Sequence, residues 1–428
     1  MLGIRWREFI TYLGGAAAWP MAGHGQQRER MRRIGVLIGF AKNDPLPHRR
    51  LGGSLPFELE VPDQSRSANG RQRPMRRVNA VPRPAQSLTK LTGLLAALLV
   101  AAHAGAADPQ SWRQEWPTTD FTRHTVALSD IRSGGPSKDG IPAIDSPRFE
   151  QLNAGRAGGW TRSIADNEPV ISVAIAGDAR AYPVRVLIWH EIVNDSVGDM
   201  PVVVTYCPLC NSGLVFERSQ PDRLLDFGTT GKLRNSDLVM YDRQTESWWQ
   251  QFTGEAIVGA LSGRKLRQVP SRMESMLQFR QRFPHGKVLV PTNPNARNYG
   301  ENPYVGYDSS GRRPFLYDGS MPEGIDPMER VVAVETAPGY HEAWSLALLR
   351  REGRIQSNDL FLTWEAGQAS ALDSRAIPAG RDVGGVVVQR QIDGILVDVP
   401  YDVTFAFAFH AFRGGSPIHG AKPAATPK

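Results

Sequence analysis

Alternation of apolar and polar positions is clearest in the middle of the chain, where four short runs read as β-strands. VISVAI (Val170 to Ile175), MPVVVTY (Met200 to Tyr206), GLVFER (Gly213 to Arg218) and SDLVMYD (Ser236 to Asp242) are β-branched or alternating and are bounded by Gly, Asn, Asp or Pro. Helical spacing is rarer. Met273, Met276, Leu277, Phe279 and Phe283 recur at helical intervals and predict a helix over Met273 to Phe283, and Tyr340 to Arg351 is a second candidate. The pattern predicts an α+β fold that is β-dominated, with short helices between mixed or antiparallel strands.

The pattern also repeats. VISVAIAGDARAYPVRVL (Val170 to Leu187) parallels VVAVETAPGYHEAWSLALL (Val331 to Leu349), with Gly177 against Gly339, Ala181 against Ala343 and Tyr182 against Trp344. Asn194-Asp195 leading to Thr205-Tyr206 parallels Asn358-Asp359 leading to Thr363-Trp364, and Met276 to Phe283 has a counterpart in Phe405 to Phe412. Two pseudo-repeats are expected, a first over 168–290 and a second over 291–428, preceded by an N-terminal extension over 107–167. Where the first has Cys207 the second has Glu365, so one half is expected to carry the chemistry and the other to support it.

Upstream of residue 107 the composition changes. Leu91 to Ala102 is an apolar stretch preceded by Arg76, Arg77, Arg83 and Lys90 and followed by Ala104-Gly105-Ala106, which reads as a cleaved signal peptide over 88–106. At about a dozen apolar residues it is shorter than the ~20 that span a bilayer, so no stable transmembrane span is expected after cleavage. Residues 1–87 are expected to be a spurious or fused leader, largely disordered. Within them, Arg5 to Pro45 resembles the leader and first strand of periplasmic substrate-binding proteins of transporters. The expected location is exported, periplasmic or extracellular.

Charge changes the picture only by its position. Residues 1–106 hold 16 Lys and Arg against 6 Asp and Glu, a surplus of ten, while the whole chain carries +7, which leaves −3 for residues 107–428. The basic balance therefore belongs to the leader, and a nucleic-acid partner is not expected. Across 428 residues that are 41% hydrophobic there is ample material for a core.

The candidate chemistry lies at one turn. Cys207 and Cys210, the only cysteines, sit three apart in VVVTYCPLCNSGLVFER. A C-x-x-C pair can run thiol–disulfide exchange, hold a soft metal ion or close a bracing disulfide. No helix signal follows Cys210, which argues against a thioredoxin arrangement, and no second C-x-x-C exists to complete a zinc ribbon. Further ligands must then come from His, Met, a carboxylate or water, with copper or another soft ion as the candidate cofactor and His190 as the nearest imidazole, followed by His285 and His341. In a redox reading Cys207 attacks, Cys210 resolves and His190 or a nearby carboxylate takes the proton, which requires an unidentified redox partner. In a metal reading both thiolates bind the ion and the partner is one of metal delivery. In a third, the protein is a cell-envelope ligand-binding or structural module whose small disulfide loop only braces a turn, a weak device because it removes little chain entropy. Trp248-Trp249 and the acidic residues Asp237, Asp242, Glu246 and Glu255 suit core packing and turns as readily as a pocket.

The runs AYPVRVLIWHEIVND, MPVVVTYCPLCNSGLVFER and NSDLVMYDRQTESWWQQFTGEAIVG resemble the domain-of-unknown-function family 3179, a bacterial and archaeal group of mostly exported proteins, over about 120–428. Some members are described as carrying selenocysteine in the motif, which implies redox chemistry. The resemblance implies that His190, Glu191, Asn194, Asp195, Tyr206, Cys207, Pro208, Cys210, Asn235, Asp237, Tyr241, Asp242, Trp248 and Gly254 are the positions of interest.

Overall fold

The computed structural model describes residues 109–422, so the signal segment 88–106 and the leader 1–87 lie outside the described residues. Strands predominate, as the alternating pattern requires, and the helices are single short pieces of seven residues. Among the described residues no helix is long and apolar enough to cross a membrane.

The first half opens with β1 (Pro169–Ile175), β2 (Asp178–Pro183) and α1 (Val184–His190). Ala176 and Gly177, both at positive φ, make the tight turn between the two strands. An antiparallel meander follows: β3 (Ile192–Val197), β4 (Met200–Cys207) and β5 (Ser212–Glu217). Next come β6 (Phe227–Arg234), β7 (Asp237–Asp242) and β8 (Trp248–Gln250), the centre of a separate five-stranded sheet. The half closes with β9 (Arg272–Ser275), α2 (Met276–Arg282) and β10 (Lys287–Val290). β9 pairs antiparallel with β1, and β10 runs parallel to β2.

After an irregular segment spanning 291–329, the second half repeats this order. Its main elements are β11 (Arg330–Ala337), β12 (Tyr340–Ser345), α3 (Leu346–Glu352), β13 (Arg354–Ser357), β14 (Leu360–Glu365), β15 (Gly385–Ile392), β16 (Tyr401–Phe405), α4 (Ala406–Phe412) and β17 (Ile418–His419), with a further strand, Ile395–Asp398, antiparallel to β15. The sheet order β9-β1-β2-β10 recurs as β16-β11-β12-β17, including the parallel last pair. Cys207 and Glu365 occupy equivalent places, each the last residue of its strand.

Both expected helices are shorter than their periodicity suggested. Met273 and Glu274 are strand residues paired with Ile171 and Val170, and the helix begins only after Ser275, whose hydroxyl and Gln278 form a reciprocal capping box. Likewise Tyr340–Ser345 is a strand, and Ser345 caps α3 by accepting from the Leu348 N–H. In each case a serine cap sets the boundary within an apolar run that reads as one element.

The main core cluster joins the halves. It runs from Ile171 and Val203 through Cys207, Cys210 and Phe216 to Phe405 and Phe407 of the second half. Trp112, Trp116 and Phe121 pack on the outer sheet around Trp248, with ring centroids 5.1–5.3 Å from it.

Candidate functional site

β4 ends on Cys207, the chain turns through Pro208 and Leu209 to Cys210, and β5 starts at Ser212, which pairs with Cys207. Asn211 sits at φ 52°, the left-handed conformation that lets so tight a reversal close, and asparagine tolerates it better than most residues. Strand β16 from the second half pins this turn. The Cys210 carbonyl accepts from the Phe405 N–H at 3.0 Å and from the Thr404 hydroxyl at 2.9 Å. Asn211 donates to the Val403 carbonyl at 2.9 Å, and the Asp402 carboxylate accepts from Ser212 Oγ at 2.6 Å and the Gly213 N–H at 3.2 Å.

Facing the two sulfurs is the β6–β7 hairpin. Its loop residues Asn235 and Ser236 both have positive φ, the signature of a two-residue hairpin turn, and the turn delivers the Ser236 carbonyl and the Asp237 carboxylate. The Cys210 thiol lies 3.5 Å and the Cys207 thiol 3.9 Å from the Ser236 carbonyl. Sγ of Cys207, Sγ of Cys210 and a carboxylate oxygen of Asp237 all lie within 4.8 Å of one another. Exposure is 2% for Cys207 and 0% for Cys210 and Asp237. Asp237 Oδ2 accepts from Gln250 Nε2 at 2.6 Å and from the Phe252 N–H at 3.0 Å, and the two thiols also favour its ionised carboxylate.

Glu191 stands beside this cluster. It caps the C-terminus of α1 at φ 58°; its N–H bonds the Leu187 carbonyl and its carbonyl accepts from the N–H of Tyr206, the residue before Cys207. Its buried carboxylate has no hydrogen-bond or ion-pair partner among the described residues. Burial raises it to about 8, and the Asp237 charge adds to the shift. Burial likewise pushes Asp237 up to about 7, against the hydrogen bonds from Gln250 and Phe252. Both thiols are pushed upward, chiefly by burial, Cys210 the more strongly, which favours their protonated forms. Tyr304 and Tyr307, from the irregular segment, complete the surroundings, their hydroxyls held well above the ordinary range by burial.

His190 is not brought to the sulfurs, contrary to its expected place as third ligand or proton acceptor. Its Nδ1 bonds the Pro142 carbonyl and its Nε2 the Tyr299 hydroxyl, each at 2.8 Å, and its ring stacks on Tyr299. A carbonyl can only accept, so Nδ1 carries the proton and Nε2 accepts from Tyr299. Burial lowers its pKa, keeping the imidazole neutral. His190 ends α1, whereas the reversal at Glu191 starts the strand that pairs with the one ending at Cys207. His285 is exposed, His341 sits on β12, and neither joins the cluster.

The other positions carried over serve the frame. Asn194 bridges β3 and β6 by bonding both the N–H and the carbonyl of Phe227 at 2.8 Å. Asp195 takes Arg180 and the Tyr182 hydroxyl, Tyr241 bonds Asp139, and Asp242 holds Trp249 Nε1 at 2.8 Å. Trp248 is core, and Tyr206 is fully buried with a long 3.4 Å contact to Asn211. Gly254, at φ 68°, lies where a Cβ would come within 2.7 Å of the Phe216 ring. A water-sized cleft lined by Tyr206, Asn211, Met273, Arg330 and Gln368 touches neither cysteine. Sequence reasoning did not single out Ser236, Tyr304, Tyr307, Asp402 or Thr404; only the run NPYVGYD in an otherwise irregular stretch hints at the tyrosines.

A family model described as a protein of unknown function, DUF3179, matches residues 138–416. No curated protein and no solved structure matches the chain.

Proposed function

Because the chain belongs to the DUF3179 family, whose description assigns no reaction, we propose from the site itself that Cys207, Cys210 and Asp237 bind a transition-metal ion, with zinc as the best fit. One observation carries the reading: two sulfurs and a carboxylate oxygen converge within 4.8 Å in a fully buried place. A buried carboxylate without a counter-charge is costly, and neither Asp237 nor Glu191 has an Arg or Lys at ion-pair distance among the described residues. A divalent cation would supply the missing positive charge and take both thiols as thiolates, releasing their protons.

The donor set bears on the metal. Copper(I) is served by sulfur alone, whereas zinc accepts thiolate and carboxylate together, so Asp237 moves the preference from the expected copper to zinc. Thiol–disulfide exchange has less support. Attack requires an accessible thiolate, and these thiols are buried and raised in pKa. The reading takes over the export expected of the leader segment.

Metal analysis of the purified protein tests this. One zinc per chain is expected in the wild type and none in a Cys207→Ser/Cys210→Ser variant, and at a zinc concentration about 100 times Kd the wild type gains about 2.7 kcal/mol, a rise in Tm of several degrees. Equal, near-zero metal in both proteins, with no thermal response to added zinc, rejects it.

A further inference from the structure

The sheet β13-β14-β15 of the second half ends on the strand Ile395–Asp398, and nothing among the described residues pairs with the outer side of that strand. Asp393 and Gly394, at φ 50° and 81°, form the two-residue turn that closes Ile392 on Ile395. Farther along, the Val399 N–H donates inward to the Val388 carbonyl. Inward-facing and outward-facing residues alternate in an antiparallel ladder, so Ile395 and Val397 also direct their N–H and C=O groups to β15, while those of Leu396 and Asp398 point to the open side.

The side chains along this edge are apolar and open to solvent. Ile392 is 50% exposed, Ile395 67%, Leu396 40% and Val397 43%. Ile392, Ile395 and Val397 lie on the side of the sheet that buries Leu360, Leu362 and Val388, so they carry the apolar side of the second half's core outward past its cover. Sheets ordinarily blunt a free edge with charges, bulges or extreme shortness. This molecule does so at other edges: β13 carries Arg354, β9 carries Arg272 and Glu274, and the strand Arg148–Gln151 carries Arg148 and Glu150. The strand Ile395–Asp398 has one charge, and it is engaged, since Asp398 accepts from Arg272 Nε and Nη2 at 2.6 Å and from Gln389 at 2.9 Å.

We propose that this edge is an interface with a second copy of the chain, the two strands pairing antiparallel about a two-fold axis at Leu396 and joining two four-stranded sheets into one. The strand is complementary to itself. In that register Leu396 lies opposite Leu396, with the outward N–H and C=O of each copy meeting those of the other. Ile395 of one copy lies opposite Val397 of the other, and Asp398 lies opposite Gly394, so no like charges oppose and the pairs beside the axis are apolar. A foreign strand would have to match this short apolar run, whereas a second copy matches it by symmetry. So short a contact belongs at the low end of specific interfaces, below the ~1,200 Å² of stable ones, and the dimer is expected to be reversible.

Sedimentation velocity of the full chain over about 1–500 µM tests this. The wild type is expected to pass from monomer to dimer across the range. Leu396→Lys, which sets two ammonium groups against each other at the axis, is expected to weaken dimerisation at least about tenfold, while its Tm, read where both proteins are monomeric, stays within about 2 °C of the wild type. Ile395→Lys/Val397→Lys and Ile395→Glu/Val397→Glu, each monomeric alone, are expected to pair when mixed, because the register sets every Lys against a Glu; this arm does not depend on how Leu396→Lys folds. A wild type that stays monomeric over the whole range overturns the proposal and leaves the edge to a strand of another protein. A dimer that survives Leu396→Lys and both double variants overturns it as well, since it forms elsewhere on the molecule, and double variants that stay apart when mixed overturn the two-fold register.

Discussion

Asp402 offers the sharpest test of how the cysteine turn is held, because two substitutions at one place should move stability in opposite directions. Its carboxylate accepts from Ser212 Oγ at 2.6 Å and the Gly213 N–H at 3.2 Å. Asp402→Ala strands both donors in a buried place at about 1–3 kcal/mol each, so a loss of about 2–5 kcal/mol is expected, a fall in Tm of order 10 °C. Asp402→Asn keeps the shape, and the Ser212 hydroxyl can turn to accept from the new amide. Burial raises the Asp402 carboxyl from 3.8 to about 6. Between those values the folded protein holds a proton that the unfolded chain has lost, so wild-type stability falls as pH rises through the window and is level on either side. The shift of about two units amounts to about 3 kcal/mol, which Asp402→Asn escapes; at pH 8 it should be more stable than wild type by about 1–3 kcal/mol, and at pH 4 indistinguishable from it. Urea unfolding of the three proteins between pH 4 and 8 reads both effects. An Asp402→Ala loss below about 0.5 kcal/mol, or an Asn advantage that does not vary with pH, would refute the reasoning.

At Asp178, burial works against ionisation, yet hydrogen bonds from Arg180 and Lys287 bring the carboxyl down to about 2. Its stabilisation is therefore present above pH 3.8 and is lost as pH falls toward 2, and after allowance for partial exposure Asp178→Asn should lower stability by about 1–2 kcal/mol at pH 7 but not at pH 2, in thermal melts at the two pH values. Gly254→Ala places a Cβ 2.7 Å from the Phe216 ring on a backbone at φ 68°, so chemical denaturation should show a loss on the order of 1–3 kcal/mol. His190→Ala should leave the metal content of the purified protein unchanged, since both ring nitrogens are committed to Pro142 and Tyr299; loss of the metal in that variant would restore the imidazole as a ligand.

Alternation and turn residues reveal the strands because each side of a sheet meets a different medium, and β1, β4, β5 and β7 fall where the pattern places them. The duplication is legible for the same reason, since matched sheets impose matched spacing. Helix starts are not, because the apolar side chains of Met273 and of Trp344 suit either a strand or a helix, and only a serine side chain bonding back to the backbone decides. At the site, two thiols three apart announce themselves. Their partners do not: Asp237 is 27 residues beyond Cys210 and reaches it only through a hairpin turn. Nearness in sequence does not set direction: one residue at positive φ, Glu191, separates the ring bonded to Tyr299 from β3, which pairs with the strand ending at Cys207.

The turn that carries the thiols belongs to the first half of the chain, but the hydrogen bonds that fix it come from residues 402–405, close to its end. A chain emerging from the ribosome therefore presents Cys207 and Cys210 without these tethers for nearly two hundred residues of further synthesis. Binding of the proposed ion would then be a late event in maturation, and a polypeptide cut short before Asp402 lacks the bonds that hold the turn.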